Sequence, residues 1–218
     1  MRPFSRKSQV AKKGNYAFID SQNLNLGTQK MGWKMDWKKF RAWLQEEYNV
    51  EKAFMFIGYM PDYETLYAQL YSQGYLVVLK PTLEMFHTEE PQEAKSQSTK
   101  AEDEKTEEKK TVKGNIDADL VLHVMKEYAN YDKAVIVSGD GDFYTLLEYL
   151  DQENKLQCLL TPNWQYSSLL KPYDKYIVRL DQKRQILRYP DYRNKKPNRI
   201  KIVPRNNTSK SPQKRPKK

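Results

Sequence analysis

The sequence predicts an α/β domain in which helices cover a parallel β-sheet. Short apolar runs alternate with amphipathic stretches along residues 15–180, which is the pattern of repeated strand–helix units. Acidic residues stand at the ends of two apolar runs, and the ligand crevice of an open parallel sheet forms at the carboxyl ends of its strands. These two observations set the fold class and the place where a site is expected.

The elements follow in order along the chain. NYAFID at 15–20 is the first predicted strand, and Asp36 is the predicted N-cap of a helix that ends near Tyr48. The remaining predicted strands are 52–58, 75–80, 133–138 and 155–160, with an edge strand at 176–180. The remaining predicted helices are 62–72, 116–129 and 143–152.

Charge divides the chain into segments. The chain has 218 residues and a net charge of +10, but residues 183–218 alone hold 14 basic residues and one acidic residue. Residues 88–112 hold eight acids and five lysines without any aromatic residue, and the rest of the chain is neutral. We therefore predict a basic arm at 1–14, one domain at 15–182 and a basic, disordered tail at 183–218. The segment 88–112 is predicted to be a disordered insertion, with a charged exposed helix as the alternative for 101–110.

Several classes of protein are excluded by composition. No run approaches the roughly 20 apolar residues that a membrane helix requires, and the N-terminus lacks the apolar stretch of a secretory signal. The single cysteine, Cys158, excludes a disulfide framework and a cysteine-based zinc site, and it is expected in the core. A cytoplasmic location with no membrane partner is the expectation.

Carboxylates at strand ends are the main chemical signal. Asp20 closes the first strand, and Asp140 and Asp142 lie in the turn SGDGD that follows the strand at 133–138. If the strands are neighbours, the three acids share one crevice and repel one another unless a cation neutralises them. Oxygen ligands without His or Cys suit Mg²⁺ or Mn²⁺. For Asp142 alone, capping of the next helix is the simpler interpretation.

Asp117 is a fourth candidate. Asn115 is placed to cap a helix whose first turn holds Asp117 and Asp119. Two acids there pair favourably with the helix macrodipole, whereas a metal shell would use Asp117 at the crevice. The spacing alone leaves both interpretations open.

Three motifs occur in a fixed order: FIDSQNL at 18–24, KGNID at 113–117 and VSGDGDF at 137–143. Together they resemble the NYN domain, a PIN-like nuclease family that includes LabA-like bacterial proteins. The resemblance covers residues 15–180. It implies a three-layer α/β/α sandwich with a central, mainly parallel sheet, and hydrolysis of RNA phosphodiesters with divalent metal.

The resemblance also implies roles for residues of this chain. The catalytic and metal-binding positions that carry over are Asp20, Asp117, Asp140 and Asp142. The supporting or substrate-binding positions are Asn23, Lys113, Asp119 and Ser138. Two departures from the family are present: one additional residue separates Gly114 from Asp117, and His123 stands where relatives often have another Asp.

A ribonuclease dependent on Mg²⁺ or Mn²⁺ is therefore the leading hypothesis, with single-stranded RNA as the expected partner. A catalytically weak or inactive RNA-binding module on the same fold is the alternative, which the His123 departure favours. The basic tail would add sequence-independent affinity for RNA, or would serve only as a solubilising end. A homodimer is the assembly considered.

Overall fold

The computed structural model describes residues 13–80 and 116–190. Their six strands form one parallel sheet in the order β3-β2-β1-β4-β5-β6. The strands are β1 (Asn15–Asp20), β2 (Val50–Gly58), β3 (Tyr75–Lys80), β4 (Ala134–Val137), β5 (Leu156–Thr161) and β6 (Ile177–Arg179). The predicted parallel sheet is confirmed, with β1 and β3 at their predicted bounds and β6 at the predicted edge.

Helices cover both faces of the sheet. They are α1 (Ser21–Lys30), α2 (Trp37–Tyr48), α3 (Glu64–Ser72), α4 (Asp117–Lys126), α5 (Tyr144–Gln152) and α6 (Arg184–Leu187). One apolar core joins the sheet to α1, α2, α3 and α6, and a second core joins it to α4, α5 and the 3₁₀ segment Ser168–Tyr176. The predicted three-layer α/β/α architecture is thus confirmed.

Helix α2 shows how local sequence sets an element. The Asp36 side chain accepts a hydrogen bond from the Lys39 amide at 3.1 Å, which satisfies one unpaired donor at the helix start. Asn49 ends the helix in the left-handed conformation, with φ of 50°. Phe40 and Leu44, one turn apart, lie fully buried against the sheet. The predicted cap and the predicted end of the helix near Tyr48 are both correct.

Helix α1 was not among the predicted elements. Its sequence, SQNLNLGTQK, buries only Leu24 and Thr28 and contains Gly27 in its interior, so it lacks the apolar periodicity of a core helix. The helix begins directly after β1 because Asp20 accepts a hydrogen bond from the Asn23 amide at 3.0 Å. A short polar helix of this kind depends on its cap and its packing rather than on a wide apolar face.

The described domain continues past the boundary predicted at residue 182. Leu187 in α6 is 1% exposed and belongs to the core beneath α2. The Asp36 amide donates to the Leu187 carbonyl at 2.9 Å, and Met35 and Arg188 form an antiparallel bridge. The boundary was set by the many basic residues from 183 onward, which gave no sign of this short apolar contact.

Other predictions fall on parts of the chain outside the described residues. These are the arm up to residue 12, the insertion 88–112, Asn115, Lys113 and the tail from residue 191. Within 13–80 and 116–190, no helix is long and apolar enough to cross a membrane.

Candidate functional site

The candidate site lies where the strand order reverses. The chain passes outward from β1 to β2 and β3 on one side of the sheet, and from β4 to β5 and β6 on the other. In open parallel sheets, ligands bind outside the carboxyl ends of the strands at such a switch point. Here that position is the carboxyl ends of β1 and β4.

Sheet register places Asp20 beside Ser138 at this edge. Ile19 pairs with Val137, so the next residue of each strand is also adjacent. Side chains alternate along a strand, and Phe18 and Ile136 belong to the core under α4 and α5. Asp20 and Ser138 therefore face that layer together, which confirms that the two predicted strand ends meet.

Asp20 is a buried carboxylate held on both oxygens. It is 5% exposed. Its Oδ1 accepts from the Asn23 amide at 3.0 Å, and its Oδ2 accepts from the Ser138 hydroxyl at 3.1 Å. Burial raises the pKa of Asp20; these two hydrogen bonds oppose the rise, and the charge of Asp140 adds to it. The fold thus keeps Asp20 in an environment that disfavours its charged form.

The turn after β4 is fastened to Asp20 and to α1. The Asp140 amide donates to the Ser138 hydroxyl at 3.2 Å, so Ser138 links the Asp20 carboxylate to the backbone of Asp140. The Asn23 side-chain oxygen accepts from the Gly139 amide at 2.8 Å. Asn23 therefore contacts Asp20 through its backbone and the turn through its side chain.

Capping accounts for part of this arrangement but not for all of it. Asp20 caps α1, and Asp140 caps the 3₁₀ turn Gly141–Phe143 by accepting from the Asp142 amide at 3.1 Å. The simpler interpretation of Asp142 as the helix cap is wrong, because Phe143 occupies the N-cap position of α5 and no side chain caps that helix. A cap needs no burial, so capping leaves the burial of Asp20 unexplained.

Helix α4 begins at the same edge of the sheet. A helix that leads into a parallel strand runs antiparallel to it, so the start of α4 lies at the carboxyl end of the strands. Its first turn holds Asp117, which is half-buried, and Asp119, which forms an ion pair with Lys80 at 2.9 Å. Asp119 thus ties α4 to the end of β3. His123 is half-buried against Phe56, with a ring distance of 5.3 Å.

The loop after β5 also borders the site and was missed by the sequence analysis. Asn163, which is 5% exposed, donates from its side chain to the Gly27 carbonyl at 2.9 Å. The Ser167 amide donates to the Gly139 carbonyl at 3.0 Å. The loop begins with Pro162 and Asn163 directly after the apolar strand β5. This pair is a turn signal at the carboxyl edge of the sheet, and it could have located the loop from the sequence.

The donor set around Asp20 is compatible with a hard divalent cation. The side chains of Asp20, Asp140 and Ser138 offer only oxygen atoms. Burial is the main cause of the raised pKa of Asp20, and a cation there would offset the smaller contribution from the charge of Asp140. In the two described ranges, however, no group of three or more His, Cys, Asp or Glu side chains is placed to hold a metal ion. The four-carboxylate shell therefore stays a prediction.

Comparison with known proteins identifies the family. The family model of the NYN domain matches residues 16–181. The chain belongs to the NYN domain family. This domain contains Asp20, Asn23, Asp117 and the turn after β4. Because the NYN domain is a PIN-like nuclease family, membership indicates an RNA-related nuclease or regulatory function.

One relative and one solved structure are also similar to this NYN domain. The low amplitude and bright protein LabA of Synechococcus elongatus is 26% identical over 165 residues, which is 73% of this chain and 80% of LabA. A protein of unknown function from Vibrio parahaemolyticus is 20% identical, with a TM-score of 0.57 over 79% of this chain and 96% of its own. The second likeness shows a shared fold alone.

Proposed function

We propose that this NYN domain is a ribonuclease that hydrolyses RNA phosphodiester bonds with Mg²⁺ or Mn²⁺ at the carboxyl ends of β1 and β4. The observation that carries the proposal is the buried Asp20, held in hydrogen bonds and in the field of Asp140. A fold gains nothing in stability from two repelling carboxylates at one edge. Their position at a sheet switch point favours a functional role.

The residues divide into those that would hold the cation and those that position them. Asp20 and Asp140 would ligate it, with Asp142 and Asp117 reaching it directly or through water. Ser138 fixes the Oδ2 atom of Asp20, and Asn23 fixes the turn that carries Asp140. A bound metal of this kind activates a water molecule and stabilises charge on the phosphate.

Other residues would serve the substrate. Asp119 holds the start of α4 through its ion pair with Lys80, which sets where Asp117 lies. Lys113, four residues before the first residue of α4, would offset phosphate charge. The expected substrate is single-stranded RNA, the expected location is cytoplasmic, and a homodimer is the assembly to examine.

Hydrolysis of a mixed set of single-stranded and structured RNAs tests the proposal. Wild type should cleave with Mg²⁺ or Mn²⁺ and stop when a chelator is added. Asp20→Asn and Asp140→Asn should each lose about 100-fold or more in rate, as expected when a transition-state charge partner is removed. The control is Asp132→Asn, because Asp132 is exposed at the opposite edge, before β4. Retention of the wild-type rate by both site variants would contradict the assignment.

The second candidate is an RNA-binding module without turnover. The absence of a group of three metal-binding side chains in the described ranges favours it, as does His123 at the position where relatives often have another Asp. Wild type that binds RNA but is inert with both metals and every RNA tried would select this function.

A further inference from the structure

One tryptophan of the chain is held out in solvent. Trp33 and Trp43 are 5% and 7% exposed, and Trp37 is half-buried. Trp164, in the loop after β5, is 58% exposed. Tryptophan is highly buried on average, so an indole this exposed offers a large apolar face to a ligand.

The loop that carries Trp164 is firmly anchored. The side chain of Asn163 donates to the Gly27 carbonyl at 2.9 Å and accepts from the Gln165 amide at 2.7 Å. The Ser167 amide donates to the Gly139 carbonyl at 3.0 Å. Residues on both sides of Trp164 are thus hydrogen-bonded, and the indole is presented without a large ordering cost on binding.

The same loop lies against the turn of the candidate site. A Cβ on Gly139 would lie 3.5 Å from Pro162 Cδ and 3.3 Å from Tyr166 Cβ. Pro162 and Tyr166 each stand two residues from Trp164, and Gly139 directly follows Ser138, the partner of Asp20. Residues on both sides of Trp164 therefore lie against the turn that carries Asp140.

Residues next to the loop and the turn add apolar and charged groups. Leu26 and Leu169 are each 57% exposed. Leu26 precedes Gly27, which lies against Pro162 of the loop, and Leu169 lies against Gly141 of the turn. Tyr166 also lines a groove of about 380 Å³, whose other lining residues are Asp174, Ile177, Val178, Arg179, Gln182 and Lys183. Arg179 is paired with Asp181 at 2.6 Å, so among the described residues Lys183 is the cation of this groove that is left to meet a phosphate. Aromatic faces beside basic side chains are typical of single-strand binding surfaces.

We propose that Trp164 is a stacking platform for a base of single-stranded RNA whose backbone enters the Asp20 site. The proposal rests on the proposed function, since it takes RNA as the ligand of that site. Single strands are favoured because a duplex base is already stacked on its neighbours, whereas an unpaired base offers a free face. Stacking on an indole is tolerant of sequence, so Trp164 would add affinity with little preference among bases.

Binding of a fluorescein-labelled ten-nucleotide oligouridylate, measured by fluorescence polarisation, tests the platform. The full chain is used in an Asp140→Asn background to prevent cleavage, at about 0.2 M salt to limit backbone-only binding. Trp164→Ala should weaken binding about 5- to 150-fold, and Trp164→Phe should recover most of the loss. The control is Tyr71→Ala, since Tyr71 is 53% exposed at the end of α3, next to the amino edge of the sheet. An affinity within twofold of the parent for Trp164→Ala overturns the proposal.

An abasic version of the same oligonucleotide separates stacking from loop damage. If Trp164 stacks on a base, Trp164→Ala and its parent should bind the abasic RNA equally. Oligouridylate should also quench the tryptophan emission of the parent, and Trp164→Phe should abolish that quenching. An equal loss with abasic and normal RNA would assign Trp164 a structural role and overturn the proposal.

Two further outcomes are distinguishable. If wild type cleaves RNA but Trp164→Ala binds as its parent does, only the stacking platform fails. If wild type is inert while Trp164→Ala still weakens binding to the normal RNA alone, the platform stands and the ribonuclease proposal fails. A change of oligomeric state on gel filtration, with RNA affinity unchanged, would assign Trp164 to an interface with a second copy and overturn its role in RNA binding.

Discussion

Gly27 offers a test in which two physical effects predict opposite signs. It lies in the interior of α1, where replacement of Gly by Ala normally stabilises a helix by about 1 kcal/mol. In this structure a Cβ at Gly27 would lie 2.4 Å from Pro162 Cβ and 2.9 Å from Pro162 Cγ. Ordinary carbon–carbon contacts are about 3.5–4.0 Å, so the helix or the loop must move by about 1 Å.

The packing effect should exceed the propensity effect. Overpacking of this kind costs about 1–3 kcal/mol, and the upper part of that range is expected because Pro162 is a buried, rigid ring. After the propensity gain, Gly27→Ala should lower the free energy of unfolding by about 2 kcal/mol. For a domain of this size, that corresponds to a fall of about 4–8 °C in Tm.

Thermal unfolding followed by circular dichroism measures this effect, with two controls. Asn25→Ala, at an exposed position of the same helix, should leave Tm unchanged or slightly raised. In a Pro162→Gly background, which removes the clashing Cβ, Gly27→Ala should become neutral or stabilising. A rise in Tm for Gly27→Ala in the wild-type background would refute the close contact between α1 and the loop after β5.

Two other predictions concern the site and the domain boundary. The native pKa of Asp20 is raised, so its folded form holds the proton more tightly than the unfolded chain does. Wild type should therefore lose stability relative to Asp20→Asn as pH rises from the ordinary Asp pKa of about 3.9 through the native pKa. Melting curves from pH 3 to 8 that show the opposite trend would contradict this. Truncation after residue 190 should leave Tm unchanged. Truncation after Leu180 removes the buried Leu187 and should lower the free energy of unfolding by at least about 2–5 kcal/mol. Equal Tm values for the two truncated forms would place α6 outside the domain.

Apolar runs and the polar residues that bound them were sufficient to predict most strands of the sheet. NYAFID and YLVVLK are apolar runs bounded by polar residues, and burial within a parallel sheet leaves such runs few other structures. Helix α1 was missed because its stability comes from the Asp20 cap and from contacts of Leu24 rather than from an apolar face. α6 was missed because a single turn inside a basic segment has no periodicity to detect.

The site was predictable where it depends on strand ends, and less so where it depends on loops. Asp20 and Asp140 follow apolar strands, so the parallel topology alone brings them to one edge. The bond between Asn23 and the Gly139 amide arises from the packing of α1 beside the turn, which no local pattern encodes. The same holds for the loop of Trp164, whose position depends on contacts with Gly27 and Gly139 from distant parts of the chain.

Direct binding of Mn²⁺ is the measurement closest to the central claim, that Asp20 and Asp140 share one divalent cation. Electron paramagnetic resonance of free Mn²⁺, titrated with protein at neutral pH, reports binding without any need for catalysis. Wild type and Asp132→Asn should remove the signal equally, whereas Asp20→Asn and Asp140→Asn should each weaken binding, because each loses a charged oxygen ligand. Wild-type affinity for Mn²⁺ in both Asp20→Asn and Asp140→Asn would contradict the account.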